Sequence, residues 1–333
     1  MSGHRRTAAL VLASALALAA AACSSTGGKQ EENGGAAANA GKANTPRVKI
    51  AMVTHEAPGD TFWSLVRKGA EAAAAKDNVQ LVYTNDPQAA QQSTLVQNAV
   101  DQKVAGIAVT LSKPDALKGA VQNAVAAGIP VVALNAGQQQ WKDVGAMEFF
   151  GQDESVAGEA AGRRLATEGA KKVLCVIHEQ GSVALEARCA GVAKGLAGAG
   201  TVENVTVTGT DMPSVKQTLT AKLQQDRGID RVIGLGAPFA LTAVQAAKDT
   251  GSTAKVATFD TNRDLVNAIR SGDVQWAIDQ QPYLQGYLAV DALWLYLNNG
   301  NTIGGGQTVL TGPAFVDKKN VDAIATYANN GTR

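Results

Sequence analysis

The sequence predicts an α/β protein of two Rossmann-like, three-layer α/β/α domains joined by a hinge of three crossovers. Three observations carry that expectation. Short Val- and Ile-rich runs alternate with Ala-rich stretches of helical period. The runs are apolar throughout rather than at every second residue, which marks parallel strands covered by helices on both faces. They also fall into two series of similar construction, with an irregular joint between them.

The first series is VKIAMV (48–53), VQLVY (79–83), VAGIAV (104–109) and IPVVAL (129–134). The second is KVLCVI (172–177), VTVTG (205–209), RVIGL (231–235) and KVATF (255–259). Segments such as DALKGAVQNAVAAG and SVAGEAAGRRLATEG supply the intervening helices. In the joint, DVGAMEFFGQDESVAG (143–158), Met147 to Phe150 form a strand candidate, and Asp153 is a helix cap or hinge residue beside Gln152. Later, DVQWAIDQQPYLQGY begins as a strand and turns into a helix after Pro282. TVLTGPAFVDKKNVDAIA then supplies one more extended crossing and a final helix. A chain that builds one domain, then the other, then revisits both is tied by adjacent crossovers. The expected N-terminal domain is 46–151 plus 281–311, and the C-terminal domain 152–280 plus 312–333.

The N-terminus reads as an export signal. A basic MSGHRRT precedes fifteen apolar residues, Ala8 to Ala22, too short to span a bilayer comfortably. Residues 1–22 are therefore expected to be removed, and Cys23 stands in LAAAACSS, which resembles a bacterial lipobox with Ala20 in place of the usual Leu. Lipidation of Cys23 would anchor the chain to the outer face of the cell membrane; an ordinary secretory signal is the alternative. Residues 23–45 lack aromatic and large aliphatic side chains, so they cannot bury enough surface to offset ordering entropy. They would form a flexible linker about 25 Å end to end. Formal net charge is +1 with no block of like charges, which argues against nucleic acid as a partner. Cys175 and Cys189 are either a disulfide, as export permits, or two buried thiols.

The stretch THEAPGDTFWSLV (54–66) leaves a strand through Pro-Gly and opens a helix on an acid and two rings. Asp60 is a natural N-cap. Phe62 starts an apolar face continued by Leu65, Val66, Gly69 and Ala73, and Trp63 falls off it. That places Trp63 at a strand's carboxyl end, where open α/β sheets put their ligands.

These motifs, with IPVVALN, GQDESVAGEAAG, EARCAGV, VATFDTN and AIDQQPYLQGY in that order, resemble the type I periplasmic sugar-binding proteins, the ribose-binding-protein group that feeds ABC importers. The resemblance runs from about Val48 to Val316. It implies a neutral sugar or sugar alcohol held in the interdomain cleft, delivered to an ABC permease and ATPase. It also implies the contacts. Phe62 and Trp63 would cover the ligand's C–H faces, and Asp60 would take hydroxyls, with a cap and two core rings as the plain alternative. Asn135 stands where the group commonly carries Asp followed by Arg; here Ala136 follows. Arg188 would donate from its helix, Asp260 would accept and could also cap the next helix, and Gln280 matches a hinge glutamine. Gly236 and Ala237 replace polar residues, leaving space that Phe239 would fill or simply pack near. His55 would reach a hydroxyl or serve the structure. The pocket so assembled is less charged than a ribose site.

An enzyme is the rival class. Three His, one of them in the leader, leave no histidine metal cluster, and neither a Gly-x-Ser-x-Gly elbow nor a P-loop occurs. No catalytic residue, metal or cofactor is expected, and the protein is expected to be a monomer. A lipid-anchored sensor for a signalling receptor would use the same pocket. On this reading, Trp63→Ala or Arg188→Ala abolishes binding and leaves unliganded stability nearly unchanged.

Overall fold

The structure, a computed structural model, describes residues 42–333. The expected export signal, the lipidation site Cys23 and the linker up to residue 41 lie outside the described residues. The chain begins with β1 (Lys49–Thr54), α1 (Thr61–Lys76), β2 (Gln80–Asn85), α2 (Ala89–Asp101), β3 (Gly106–Thr110), α3 (Pro114–Ala126), β4 (Val131–Leu134) and β5 (Glu148–Gly151). It crosses to α4 (Glu154–Thr167), β6 (Lys172–Ile177), α5 (Val183–Leu196), β7 (Thr201–Thr206), α6 (Met212–Gln225), β8 (Arg231–Gly234), α7 (Ala237–Thr250), β9 (Lys255–Phe259), α8 (Arg263–Ser271) and β10 (Val274–Asp279). The return is α9 (Pro282–Asn299), β11 (Thr308–Leu310), β12 (Ala314–Asp317) and α10 (Val321–Asn330).

Two six-stranded sheets result, ordered β11-β5-β4-β3-β1-β2 and β12-β10-β9-β8-β6-β7. The orders are the same once β6 is matched to β1, so the lobes repeat one topology. Every pairing is parallel except β12 on β10. The third crossing is richer than the sequence indicated: TVLTGPAFVD supplies two short strands, one to each sheet. The edge strand β7 is also displaced from the expected 205–209. Only one face of an edge strand needs to be apolar, and TVENVT is mostly solvent-facing, so the apolar run catches only its end.

Alternation along each strand divides the core. Ala51 and Val53 of β1 join Ile107, Val109 and Leu117 on one face, while Ile50 and Met52 join Val66, Ala289 and Leu293 on the other. The second lobe divides likewise, with Leu174 and Val176 on one side and Cys175 and Ile177 on the other. Two helix pairs approach at backbone distance. A Cβ at Gly69 would overlap the Tyr283 carbonyl of α9, and one at Gly158 of α4 would overlap the Arg188 carbonyl of α5. Cys175 and Cys189 are bonded, tying β6 to α5 across a Cα–Cα distance of 6.0 Å.

The face of α1 differs from expectation. Trp63 is 4 % exposed and belongs to the buried stripe with Val66, Ala70 and Ala73, whereas Phe62 is half-buried. The helix is sandwiched between the sheet and α9, so it buries two adjacent stripes rather than one.

Candidate functional site

The carboxyl ends of the parallel strands in both sheets converge on one cleft of about 790 Å³. This is the topological switch point, where strand order reverses and adjacent loops part. All ten residues singled out from the sequence line it: His55, Asp60, Phe62, Trp63, Asn135, Arg188, Gly236, Phe239, Asp260 and Gln280.

In the first lobe, Asp60 caps α1, its carboxylate accepting from the Phe62 N–H at 3.0 Å. Burial raises its pKa to about 6 against the opposing Phe62 N–H, with Glu56 and Glu179 adding to the rise. Trp63 meets His55 and Phe62 edge-on, at ring-centroid distances of 4.7 and 5.1 Å. Its ring therefore serves both the core and the cleft wall. His55 is pinned by Thr110, whose Oγ1 lies 2.6 Å from Nδ1 and accepts from the backbone N–H at 3.1 Å. Burial holds His55 below its ordinary pKa; Glu179 opposes this and Lys113 adds to it.

Two strand ends present their polar side chains by the same device. Asn135 follows β4 with φ 65°, and Asp260 follows β9, the matching strand, with φ 66°. Each left-handed residue is held by its own N–H, donated to Phe150 at 2.8 Å and to Ile278 at 2.7 Å. Such conformations cost about 1–3 kcal/mol and persist where the surroundings enforce them. Asp260 does not cap the next helix: Asn262 does, accepting from Leu265 N–H at 2.8 Å. The left-handed turn points Asp260 elsewhere, and Gln280 donates to its carboxylate at 2.7 Å. Gln280 Oε1 accepts in turn from Asn135 at 3.3 Å and from Gln285 at 2.9 Å. An amide chain thus connects the two lobes at the second crossing.

Arg188 is 3 % exposed. Glu154 receives it bidentately, Nε at 2.6 Å and Nη2 at 2.9 Å, while Nη1 donates to the Leu235 carbonyl at 3.1 Å and to Asp260 at 3.5 Å. The guanidinium also lies over Phe259, 4.7 Å from the ring centre. Because Glu154 takes the fork, Asp260 is only partly compensated. Burial raises its pKa to about 7, Arg188 and Gln280 opposing, Glu154 and Asp279 reinforcing.

Glu154 was not legible as a site residue, although a buried Arg demands a carboxylate partner. Glu179 was also missed. It bridges the lobes, with Lys113 Nζ at 3.2 Å, Ser112 Oγ donating at 3.2 Å and His55 Nε2 at 3.7 Å. Two more bonds close the gap: Val183 N–H to the Ser112 carbonyl at 3.0 Å, and Asn262 to Thr61 Oγ1 at 3.3 Å. Glu179 lies two residues past the end of β6, a place where ligand-facing residues collect, and that position was its only signal.

Two α/β lobes of one topology, touching at both flanks of a shared cleft, define a protein that encloses a ligand between halves. The chain matches the periplasmic binding protein domain family over residues 50–302 and belongs to that family. It is similar to a carbohydrate transporter from Acidothermus cellulolyticus solved with myo-inositol, at 59% identity and a TM-score of 0.85 over 86% of this chain and all of that one. It is 25% identical to the ribose import binding protein of Bacillus subtilis, over 77% of this chain and 83% of that protein. The xylose/arabinose-binding protein of Sulfolobus acidocaldarius is 24% identical over 68% of this chain; the chain spans 60% of that relative's length. No helix among the described residues is long and apolar enough to cross a membrane.

Proposed function

We propose that the protein captures a neutral cyclic polyol, myo-inositol or a near relative, and delivers it to an ABC permease and its ATPase. The observation that carries this reading is how the cleft spends its charge. Arg188 is matched by Glu154, and Lys113 by Glu179. What remains for a ligand is rings, amides and two carboxyls of raised pKa, a surface suited to an uncharged ring of hydroxyls. The Acidothermus protein, solved with myo-inositol, supports the ligand class.

In this reading Trp63 and Phe62 cover the C–H face of the ring. Asp60, Asn135, Asp260 and Gln280 take up hydroxyls, and Arg188 donates from its Nη edge. His55 contributes through Nε2, and Gly236 with Phe239 shapes the far wall. Each hydroxyl buried without a partner would cost about 1–3 kcal/mol, so the wrong epimer is rejected by what it leaves unpaired. Ligand makes both half-sets of contacts only when the lobes meet, and so shifts the population toward the closed form. The lobes divide at 46–151 plus 281–311 and 152–280 plus 312–333, with the hinge at the crossings between them. The protein works as a monomer held outside the cell membrane by lipid on Cys23, and it releases its ligand chemically unchanged.

The test is a thermal-shift and calorimetric screen against myo-inositol, scyllo-inositol, pentoses, hexoses and linear polyols. A clear rise in Tm with a few cyclic polyols, recovered intact, is the expected result. No shift with any neutral polyol, or conversion of one to product, defeats the reading.

A further inference from the structure

Each lobe places a histidine directly after its first strand: His55 follows β1 and His178 follows β6. The equal sheet orders make the two positions counterparts. Their surroundings differ, most sharply at Nδ1. His55 has its Nδ1 engaged by Thr110 at 2.6 Å. The Nδ1 of His178 is sealed from solvent and has no hydrogen-bond partner. His178 nevertheless lines the cleft and is only half-buried, so with Nδ1 sealed its other nitrogen, Nε2, is the ring's polar edge toward the cavity.

The ring is held in place by more than its own rotamer. It stacks on Phe239 with centroids 4.0 Å apart and planes 11° from parallel. Its backbone carbonyl accepts from Gly209 N–H at 3.0 Å, and a Cβ at Gly209 would crowd that carbonyl and the Phe239 ring. On the other side, a Cβ at Gly236 would come within 3.3 Å of Phe239 and 3.5 Å of His178 Cε1. A Cβ there would be a tight fit against Phe239 and in ordinary contact with His178, so glycine at 236 leaves the stack uncrowded. A neutral imidazole offers one donor and one acceptor. With Nδ1 sealed against the protein, an unpartnered lone pair there costs less than an unpartnered N–H, so the proton belongs on Nε2. Burial, with Arg188 and His55 nearby, lowers the His178 pKa to about 3 and keeps the ring neutral.

We propose that His178 is a specificity-determining residue that donates from Nε2 to one hydroxyl of the bound polyol, with Phe239 as its stacking support. This rests on the reading of the cleft as a polyol site. It makes the second lobe a reader of hydroxyl configuration at a position where the chain carries Gly236 instead of a polar side chain.

Calorimetry with wild type, H178F and H178Q against myo-inositol and a series of its monodeoxy analogues tests the proposal. H178F keeps the stack and removes both nitrogens. The expected result is at least a tenfold weaker Kd for myo-inositol in H178F, partial recovery in H178Q, and one deoxy analogue that wild type and H178F bind equally. H178F binding every ligand within twofold of wild type overturns the proposal while leaving the polyol site standing. Wild type binding no cyclic polyol overturns both. Imidazole nitrogen NMR of wild type decides independently of whether the variants fold. Myo-inositol is expected to move the Nε2 resonance of His178, and an unmoved resonance in ligand-saturated protein counts against the donor role.

Discussion

Arg188, proposed to donate to ligand, is also a structural residue. Its guanidinium neutralises Glu154 inside the protein, so Arg188→Ala strands a buried carboxylate. Breaking a buried pair from one side costs about 3–5 kcal/mol. Trp63 sits in the same bind, since a Trp removed from a packed core costs about 3–5 kcal/mol through lost contacts and the cavity left behind. The structure therefore reverses the expectation that both alanine variants would keep their unliganded stability: each should lower the Tm of the free protein by several degrees and also abolish binding, as read by differential scanning calorimetry with and without myo-inositol. Arg188→Lys should keep more stability than Arg188→Ala and still bind poorly, because an ammonium cannot reproduce the fork. The two raised carboxyls set a pH dependence. Asp60, at about 6, and Asp260, at about 7, are protonated more readily in the folded chain than in the unfolded one, where both lie near 3.8. Their contribution to the free protein's stability is fully present below about pH 4 and is lost as pH rises through 6 to 7. Ligand hydroxyls that donate to these groups favour the ionised form, so binding should release protons. Affinity should fall up to about tenfold per pH unit below 7 if Asp260 must be ionised. Titration calorimetry in buffers of different ionisation enthalpy would detect the proton release; an affinity constant across about pH 5 to 8 would refute it.

Helix α5 is the element on which the second half of the site depends. Three features hold it: the bond from Cys189 to Cys175 of β6, the close crossing with α4 at Gly158, and Glu154 of α4 gripping Arg188. Neither crossing glycine has a positive φ; each is required by the neighbouring carbonyl, so Gly158→Ala is a steric change alone. Overpacking of this kind costs about 1–3 kcal/mol. It should also weaken polyol binding tenfold or more, because the carbonyl it displaces belongs to Arg188. Gly106→Ala, which crowds the Leu293 side chain at the amino end of β3, is the control. It should lower Tm with a smaller effect on Kd, since it lies at the end of the sheet opposite the cleft. Reducing the disulfide should destabilise the free protein by about 3 kcal/mol for so short a loop and loosen the placement of Arg188. The result to look for is a fall in both Tm and affinity on reduction that is absent in a Cys175→Ser, Cys189→Ser double variant, already fallen in both.

For the whole molecule, the notable contact is Glu179, which meets Lys113, Ser112 and His55 across the gap. Lys113 and Glu179 are partly solvated, so their pairing is worth about 0.2–1 kcal/mol, or up to about a fivefold shift between open and closed forms. Glu179→Gln should weaken binding by about that factor, chiefly through faster release. Small-angle scattering should show a larger radius for the free protein than for the polyol complex, and the variant should need more ligand to reach the compact state. Identical scattering with and without ligand would remove closure from the mechanism.

The order of strands and helices was open to reading because it rests on local properties: a continuous apolar run, a helical period, a Pro that starts a helix after residue 281. The residues at strand ends, Asn135 and Asp260 among them, were equally accessible, since parallel sheets gather their loops at the carboxyl edge whatever the rest of the chain does. Glu154, Glu179, His178 and the burial of Trp63 were not. Glu154 and Glu179 lie in ordinary surface-type segments; the docking of α4 on α5 buries the first, and the meeting of the lobes gives the second its partners. Nothing beside His178 in the chain marks it; its stacking partner Phe239 comes from about sixty positions away. Trp63 was misplaced because a helix packed on two sides buries two stripes, and the second partner, α9, returns from the far end of the chain. The sequence by itself determined which segments form strands and which ends face the cleft, for those choices are made by neighbours along the chain. Only the tertiary structure decided which charges cancel and which polar atoms are left for a ligand, because pairing depends on surfaces that meet after the lobes are built.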